Sequence, residues 1–591
     1  MNLYYDLLKE WCDTLLTLQI REQSRSELYG GILCPACARV HGRCGDAIYP
    51  LMYLADVTGD EKYLDGARGL FAWTKNVSRR DGSLINDTNS DWKGITVFFA
   101  IQLGEALHHH GHLLDEETRR EWQERFLTAA EYLLHHIDEI GGNINYPVTC
   151  AHAMAVAAQL TGDERYRKKA KALADQAMAA FTDDGLLYGE GKCWEEVTPK
   201  GCRPVDLGYN VEESLPALLS YAVIAEDCTV YDRVIEAMKI HLEFMLPDGA
   251  WDNSWGNRNN KWSYWGSRTS DGCQPGFGLP ADEEPDFAEA VFRNTRLLKA
   301  CTHNGLLYGG PMFLSAGEPP CVHHTFCHAK GLAALLGQRH GMLPAGGGSL
   351  PRERQEGVRF FPSLQVNLLA RGDFRATLSD YDLEYSEEGH STGGALTLLW
   401  HRLTGPVFTG TMNRYYLVEP NNMQIPRYVD PVCLTPRIET EEDGRTFMSC
   451  NDKQAEVCCS DRDGVIEAEA LGQLRDGRQN AGTGPGHYRL GYRLDEESFC
   501  LTADTDSRTA MLYLPVICSS DETYDCSDYC LTVYKKDAVL TLKCSSRLEI
   551  EGDPGRRAFH PVGGMEAVLC RIMMVPDQEV TVTISVSAGS F

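Results

Sequence analysis

Long apolar runs are missing from this chain. No stretch of its 591 residues approaches the ~20 apolar residues that span a bilayer, so no membrane-spanning helix is expected. Positive charge is scarce as well: 56 Lys and Arg stand against 84 Asp and Glu, for a net charge of −28. That balance excludes a broad nucleic-acid or anionic-membrane surface, which needs basic side chains. It disfavours a long polyanion laid over much of the surface, yet leaves room for a short anionic ligand in a locally basic cleft. The opening segment Met1-Asn2-Leu3-Tyr4-Tyr5-Asp6-Leu7-Leu8 has no basic n-region, apolar h-region or small-residue cleavage site. It reads as an amphipathic first helix, and the expected compartment is the cytoplasm. There the 22 cysteines are expected as thiols rather than disulfides. A P-loop, a G-x-S-x-G elbow and a dinucleotide fingerprint are also absent, which removes the commonest nucleotide-binding and serine-hydrolase readings.

What is there has two textures. Length implies two or three domains, and 43% apolar with 24% charged residues is ordinary for a globular chain. Residues 1–345 read as helical hairpins. Trp92, Ile95, Phe98, Phe99, Leu103, Ala106 and Leu107 share the i, i+3, i+4, i+7 spacing of one buried helix face. The histidines 108–110 and Gly111 after them mark its C-terminus, where imidazolium is favourable. Thr58-Gly59-Asp60-Glu61-Lys62-Tyr63 recurs 103 residues later as Thr161-Gly162-Asp163-Glu164-Arg165-Tyr166. In each copy Gly ends one helix, and Asp caps the next. Hairpins repeated at such a period stack, and closed into a ring they form an (α/α) toroid; an open solenoid is the alternative. The glycine- and proline-rich stretch Leu343–Pro351 then separates the halves. Beyond it the period changes to two: Val580, Val582, Ile584 and Val586 alternate with Thr581, Thr583 and Ser585. Leu531, Val533 and the run 539–542 read as further strands. The expected architecture is therefore α+β and multidomain: a toroid over 1–345 and an antiparallel β-sandwich over 346–591, with room for a small C-terminal subdomain.

Several segments carry chemistry. Nine of ten tryptophans precede the linker, and the polar, glycine-broken run 251–265 holds Trp251, Trp255, Trp262 and Trp265. Indole faces there suit sugar rings; the alternative is an ordered loop packing its own aromatics. Arg268, among glycines and small polar residues, can clamp a carboxylate or pair with Asp271. The segments 142–147, with Asn143 and Asn145, and 206–214, with Tyr209, both read as loops entering helices, where a toroid opens its cleft and anions are favoured. Cys34, Cys37, His41 and Cys44 have the spacing C-x2-C-x3-H-x2-C, compatible with tetrahedral zinc; buried thiols are the other reading, with His41 and Arg43 as cleft residues in either case. His324 and His328 share a helix face and read as cleft lining, with a metal or a helix cap as alternatives. The pair Cys458-Cys459 reads as structural. The β-rich half opens on Glu388-Gly389-His390-Ser391-Thr392-Gly393-Gly394, followed by the strand-like Ala395 to His401.

A histidine presented by a sheet domain against a helical toroid resembles the heparinase II/III-like polysaccharide lyases, across nearly the whole chain. Gly389-His390 and Leu398-Leu399-Trp400 fit the family's sheet segment, whereas Gly393-Gly394 replaces its acidic residue and the adjacent Asn-His pair of that class is missing. The resemblance implies β-elimination on uronate-containing glycans. Carried over by position, Asn145, or Asn143 beside it, neutralises the uronate carboxylate, Tyr209 moves the proton, and His390 assists. Such chemistry needs the developing enolate stabilised and a cationic field at the tyrosine, for which Arg203, Arg268 and His390 are the candidates. Substrate contacts are expected from Arg268, Trp251, Trp255, Trp265, His41, Arg43, His324, His328, Asn143 and Arg203. No cofactor is required for the chemistry; a structural zinc at Cys34, Cys37, His41 and Cys44 is compatible with it. The expected partner is a uronate oligosaccharide, with neither nucleic acid nor membrane. Two other readings stand beside this one. One is a glycoside hydrolase on the same toroid, using two carboxylates from Asp87, Asp91, Glu190, Glu195, Glu196, Asp206, Glu212 and Glu213. The other is a non-catalytic carbohydrate-binding protein.

Overall fold

The computed structural model describes the chain except residues 1, 87–89, 91, 138–142, 192–196, 261–263, 265–269, 340–341, 428–431, 554 and 590–591. Trp262, Trp265 and Arg268 of the sequence reading fall outside the described residues, as do Asp87, Asp91, Glu195 and Glu196.

Among the described residues, every helix of eight or more residues lies in the first half, from Leu3–Thr17 to Val322–Gln338. The only strands there are the two-residue pair Thr302–His303 and Leu306–Leu307. The two echoed hexapeptides are two copies of one hairpin device. Gly59 (φ 68°) and Gly162 (φ 72°) end the helices Ile48–Thr58 and Asn145–Thr161 in the left-handed region. Asp60 and Asp163 then accept the backbone N–H of Lys62 and Arg165 and start the next helices. The helix Asn145–Thr161 is buried on nearly every side, as an inner helix of a ring must be. The last helix, Val322–Gln338, packs on Leu3–Thr17 and Ile48–Thr58, so the ring closes between its first and last members.

Two details differ from the periodic reading. The helix carrying Phe98 and Leu103 begins at Thr96, so Trp92 precedes it, stands exposed and donates to the Tyr146 hydroxyl. Gly111 keeps a right-handed backbone (φ −59°), and the helix tightens into a 3-10 turn, Gly111–Leu113. The preceding histidines do find acids: His109 meets Glu105 at 3.0 Å and His110 meets Asp56 at 2.8 Å.

Among the described residues of the second half, every strand pairing is antiparallel. Five strands, Gly357–Phe361, Val366–Arg371, Phe374–Ser379, Ala395–His401 and Gly405–Thr409, pair in chain order. Sheets of six and eight strands follow, and Val580–Ala588 sits centrally in the larger one. The five-stranded sheet is buried on both faces, which explains why Ala395–His401 reads as a continuous apolar run. Leu368, Leu398 and Trp400 face the toroid core, while Leu369, Leu378, Leu396 and Leu399 face the sandwich core. His390 lies in the loop before this strand, not within it. The linker is pinned rather than loose: Gly347 and Gly348 donate to Glu289, and Tyr4 donates to the carbonyl of Pro344. No described helix is long and apolar enough to cross a membrane, and no disulfide joins the described cysteines.

The two left-handed glycines yield a direct test. A Cβ at Gly59 or Gly162 would meet nothing within 4 Å, so alanine there costs only backbone strain, ~1–2 kcal/mol each. Chemical denaturation of Gly59→Ala, Gly162→Ala and the double variant should show that loss at each site and near-additivity. No loss would mean that these caps are not left-handed.

Candidate functional site

The toroid's interior gathers around a turn that sequence periodicity does not show. Asp206 accepts the N–H of Gly208 and Tyr209, starting a helix that at once widens into a π-turn, Asn210–Ser214, before the helix Leu215–Ala225. Such turns concentrate at functional sites because the extra residue re-aims its neighbours. All five residues of the π-turn are buried, Glu212 and Glu213 included.

Tyr209 lies under a guanidinium. The Arg258 Cζ is 4.8 Å from the Tyr209 ring centre and 5.1 Å from that of Tyr385. Arg258 is 2% exposed. It donates to Glu190 at 2.7 Å and to Glu419 at 3.1 Å, with Asp206 3.8 Å from its Nε. Burial opposes its charge, but the surrounding carboxylates outweigh burial and hold the guanidinium protonated. Tyr385 donates to the same Glu419, so residues of both halves meet at this one cation.

Asn145 joins from the N-terminus of its helix. Its N–H donates to Glu190 and its Nδ2 to Glu213, each at 2.8 Å. Asn143 accepts the N–H of Gly191. Gly191 has φ 119°, and a Cβ there would lie 3.4 Å from the Tyr385 ring and 3.6 Å from Asn257 Nδ2. Asn257 is fully buried, yet neither its Nδ2 nor its Oδ1 has a partner among the described residues. A buried amide without partners costs free energy that a ligand would recover.

Through Glu213 this cluster runs into a second one. Arg43 donates to Asp46 and Asp271, and Lys330 meets the same two carboxylates at 2.9 and 2.6 Å. Arg43 stacks on Phe98, 4.1 Å from its centre, and lies 3.9 Å from Glu213. Burial and the nearby Asp271 push the Glu213 carboxyl well above the usual range, against Arg43. His328 Nε2 lies 3.7 Å from Glu212, and its Nδ1 contacts the carbonyl of His324. Asp271 thus pairs with Arg43 and Lys330, although the turn pairing predicted with Arg268 rests on a residue outside the described ones.

Other expected residues sit elsewhere. Trp251 and Trp255 are fully buried and pack at a tilt against Phe277 and Phe244, so they are core residues rather than sugar platforms. Some of the polar neighbours that suggested a cleft are bonded within the run: Asp252 accepts from Ser254, and Asn259 donates to the Ser254 carbonyl. Arg203 stacks on Tyr188 at 4.8 Å. His390 is buried; its Nε2 is 3.0 Å from the Tyr381 carbonyl, and it lines a small recess with Glu384, Ser386 and Lys453. Its described contacts lie in the sandwich half. It reaches the Tyr209 loop only through Tyr381, whose hydroxyl accepts from Val205 N–H and donates to the Arg203 carbonyl. Burial pulls the His390 imidazole down to about 4. At neutral pH it is uncharged and supplies none of the cationic field expected of it.

Cys34, Cys37 and His41 do converge, but their fourth neighbour is Cys321. Cys44 is not of that group, because its 3-10 turn, Gly42–Ala47, points it into the helical core. His41, 1% exposed, belongs with these sulfurs and not with an open cleft. Asp46, Asp271 and Cys327 also lie close together, but Arg43 and Lys330 already neutralise those carboxylates. The described acids proposed for a hydrolase are similarly engaged: Glu190 with Arg258 and Asn145, Asp206 as a cap, Glu212 with Ser270, and Glu213 with Asn145. Sequence reasoning missed Tyr385, Glu419 and Lys330, and gave Asn257 and Arg258 no role of their own. Only Asn257 and Arg258 lay in a segment already marked, the tryptophan run.

The model of the ulvan lyase N-terminal domain matches residues 8–349, and that of the ulvan lyase C-terminal domain matches residues 358–587. A broad-specificity ulvan lyase of Formosa agariphila is 40% identical over 580 residues, covering 96% of this chain and 91% of that protein. Heparinase III superposes with a TM-score of 0.54 at 12% identity, over 92% of this chain and 76% of that one. A chondroitin AC lyase of Streptomyces coelicolor A3, solved with chondroitin sulphate, gives 0.50 at 12% identity, over 100% and 79%. These two share the toroid-plus-sandwich fold. The family models cover both halves of the chain and divide it at the linker, and the chain belongs to the ulvan lyase family of polysaccharide lyases.

Proposed function

We propose that this lyase cleaves uronate-containing glycans, ulvan among them, by β-elimination, with Tyr209 as the proton-transfer group. The observation that carries this reading is Tyr209 under the buried Arg258, whose neighbour in sequence, Asn257, has an amide with no partner among the described residues. Elimination removes the proton on the carbon next to the uronate carboxylate and expels the 4-linked oxygen. That proton is acidic enough only if the carboxylate is neutralised by donors as charge moves onto it. Asn257 Nδ2 supplies such donors, and Asn145, held by Glu190 and Glu213, is the second amide of the cluster. A tyrosine hydroxyl gives up its proton more readily with a cation nearby, or moves it in concert; Arg258, over the Tyr209 ring, is the cation at hand. The neutral His390 acts from behind, holding Tyr381 against the loop that carries Tyr209.

Tyr209→Phe keeps the ring under Arg258 and removes only the hydroxyl. Turnover, read as the absorbance of the unsaturated product, should fall by the ~10²–10⁴-fold typical of a lost proton-transfer group, with fold and KM nearly unchanged. A folded variant with near-normal elimination would remove Tyr209 from the mechanism. Asn257→Ala should lower kcat and raise KM for uronate substrates.

His390 sets a pH dependence of stability. Its folded value of about 4 lies below the ~6.5 of an unfolded histidine, so between the two the unfolded chain binds a proton that the native state does not. Stability is therefore present above pH ~6.5 and is lost as pH falls toward 4, by about 3 kcal/mol from this group. His390→Gln should flatten the acid side of the stability profile measured by denaturation. An unchanged slope would show that His390 is not buried neutral.

A further inference from the structure

We propose that Cys34, Cys37, His41 and Cys321 bind one zinc ion that closes the ring of helices between its two ends. The proposal is independent of the catalytic reading above.

Its basis is geometric. Cys321 Sγ lies 3.7 Å from Cys34 Sγ, 3.7 Å from Cys37 Sγ and 3.7 Å from His41 Nε2. All four ligand atoms lie within 4.8 Å of one another. A tetrahedral zinc with Zn–S of ~2.3 Å and Zn–N of ~2.0–2.1 Å has S···S edges of ~3.8 Å and S···N edges of ~3.6 Å. The three separations from Cys321 match those edges, and the other three lie within 4.8 Å. They are far from the ~2.05 Å of a disulfide, which would in any case join only two of three sulfurs.

The local backbone is shaped for the same purpose. Leu33 and Val40 bridge across the Cys34–Cys37 turn, and the Cys37 N–H points at Cys34 Sγ at 3.4 Å, an electrostatic contact that a thiolate rewards. Ala38 follows in the left-handed region (φ 52°), a strained choice for a residue with a Cβ. That conformation folds the chain back so that His41 reaches the same point. Cys321 arrives from 280 residues away and is the N-cap residue of the last toroid helix. Cys34, His41 and Cys321 are essentially buried, and Cys37 is partly exposed, so an ion would be enclosed with one edge near solvent.

The ligand set selects the metal class. Three thiolates and an imidazole suit a borderline-soft ion with no geometric demand beyond four ligands, which is zinc. Four protein ligands leave no open position, so the site is structural. Its mechanical role follows from what comes next in the chain. His41 leads directly into Arg43 and Asp46, and Cys321 into His324, His328 and Lys330. The ion would clamp together the two segments whose following residues form the Arg43–Asp46–Lys330 cluster.

The test is elemental analysis of the full chain purified without chelator. One zinc per chain is expected, absent from Cys321→Ser and Cys37→Ser and retained in Cys44→Ser. Should the ligand variants fail to fold, cobalt exchange into the wild-type protein decides: a thiolate-to-cobalt charge-transfer band with tetrahedral ligand-field intensity supports the site. Chelation should then lower Tm and expose three further reactive thiols. Absence of stoichiometric metal together with no cobalt band would overturn the proposal. So would a disulfide among these cysteines in unreduced protein, or zinc lost from Cys44→Ser but kept in Cys321→Ser.

Discussion

The buried guanidinium of Arg258 organises the centre of this molecule. A charge so enclosed is tolerated only when it is paired and hydrogen-bonded, and its partners come from both halves: Glu190 from the toroid, Glu419 and Tyr385 from the sandwich. Satisfying one cation therefore fixes the position of one half against the other. The same constraint places Tyr209 beneath the charge. It also holds Glu190, which in turn orients Asn145 through its backbone N–H. Breaking this pairing would leave carboxylates buried without compensation, a far larger loss than any surface ion pair.

Around that centre, the interface between the halves is polar where it is specific and apolar where it is extensive. The five-stranded sheet offers leucines and Trp400 to the toroid core, while Asp252 accepts from Thr377 at 2.5 Å and Trp400 Nε1 donates to Asp248 at 3.0 Å. Burying both faces of that sheet makes its inner strand Ala395–His401 apolar on alternate and adjacent positions alike. It also puts the loop before Ala395, with His390, in a closed recess rather than at an open cleft wall.

The architecture was legible in the sequence because it rests on local patterns. A glycine that ends a helix and an aspartate that starts the next act within six residues, and the two copies announce stacked hairpins. Alternation in 580–586 is equally local. The site was legible only in part. Tyr209 and Asn145 could be placed because loops entering helices are readable. Trp251 and Trp255 misled, since a tryptophan in a polar run looks the same whether its neighbours bind sugar or one another. Arg258 stood in that run, but its partners Glu190 and Glu419 lie in distant segments with no periodic mark. Cys44 fitted the local spacing of Cys34, Cys37 and His41, whereas Cys321, 280 residues from His41, carries no local sign of belonging with them. Long-range convergence is set by packing, and single-chain spacing does not encode it.

The central claim is that a uronate binds with its carboxylate at the Asn257 amide, which has no partner among the described residues, and its reactive carbon toward Tyr209. The most direct measurement is a structure of Tyr209→Phe holding an intact uronate oligosaccharide. The account predicts the carboxylate within hydrogen-bond distance of Asn257 Nδ2, on the side of Asn145, with the carbon beside it facing the ring at position 209. A carboxylate seated in the His390 recess, or a sugar bound while the Asn257 amide stays unpaired, would contradict it.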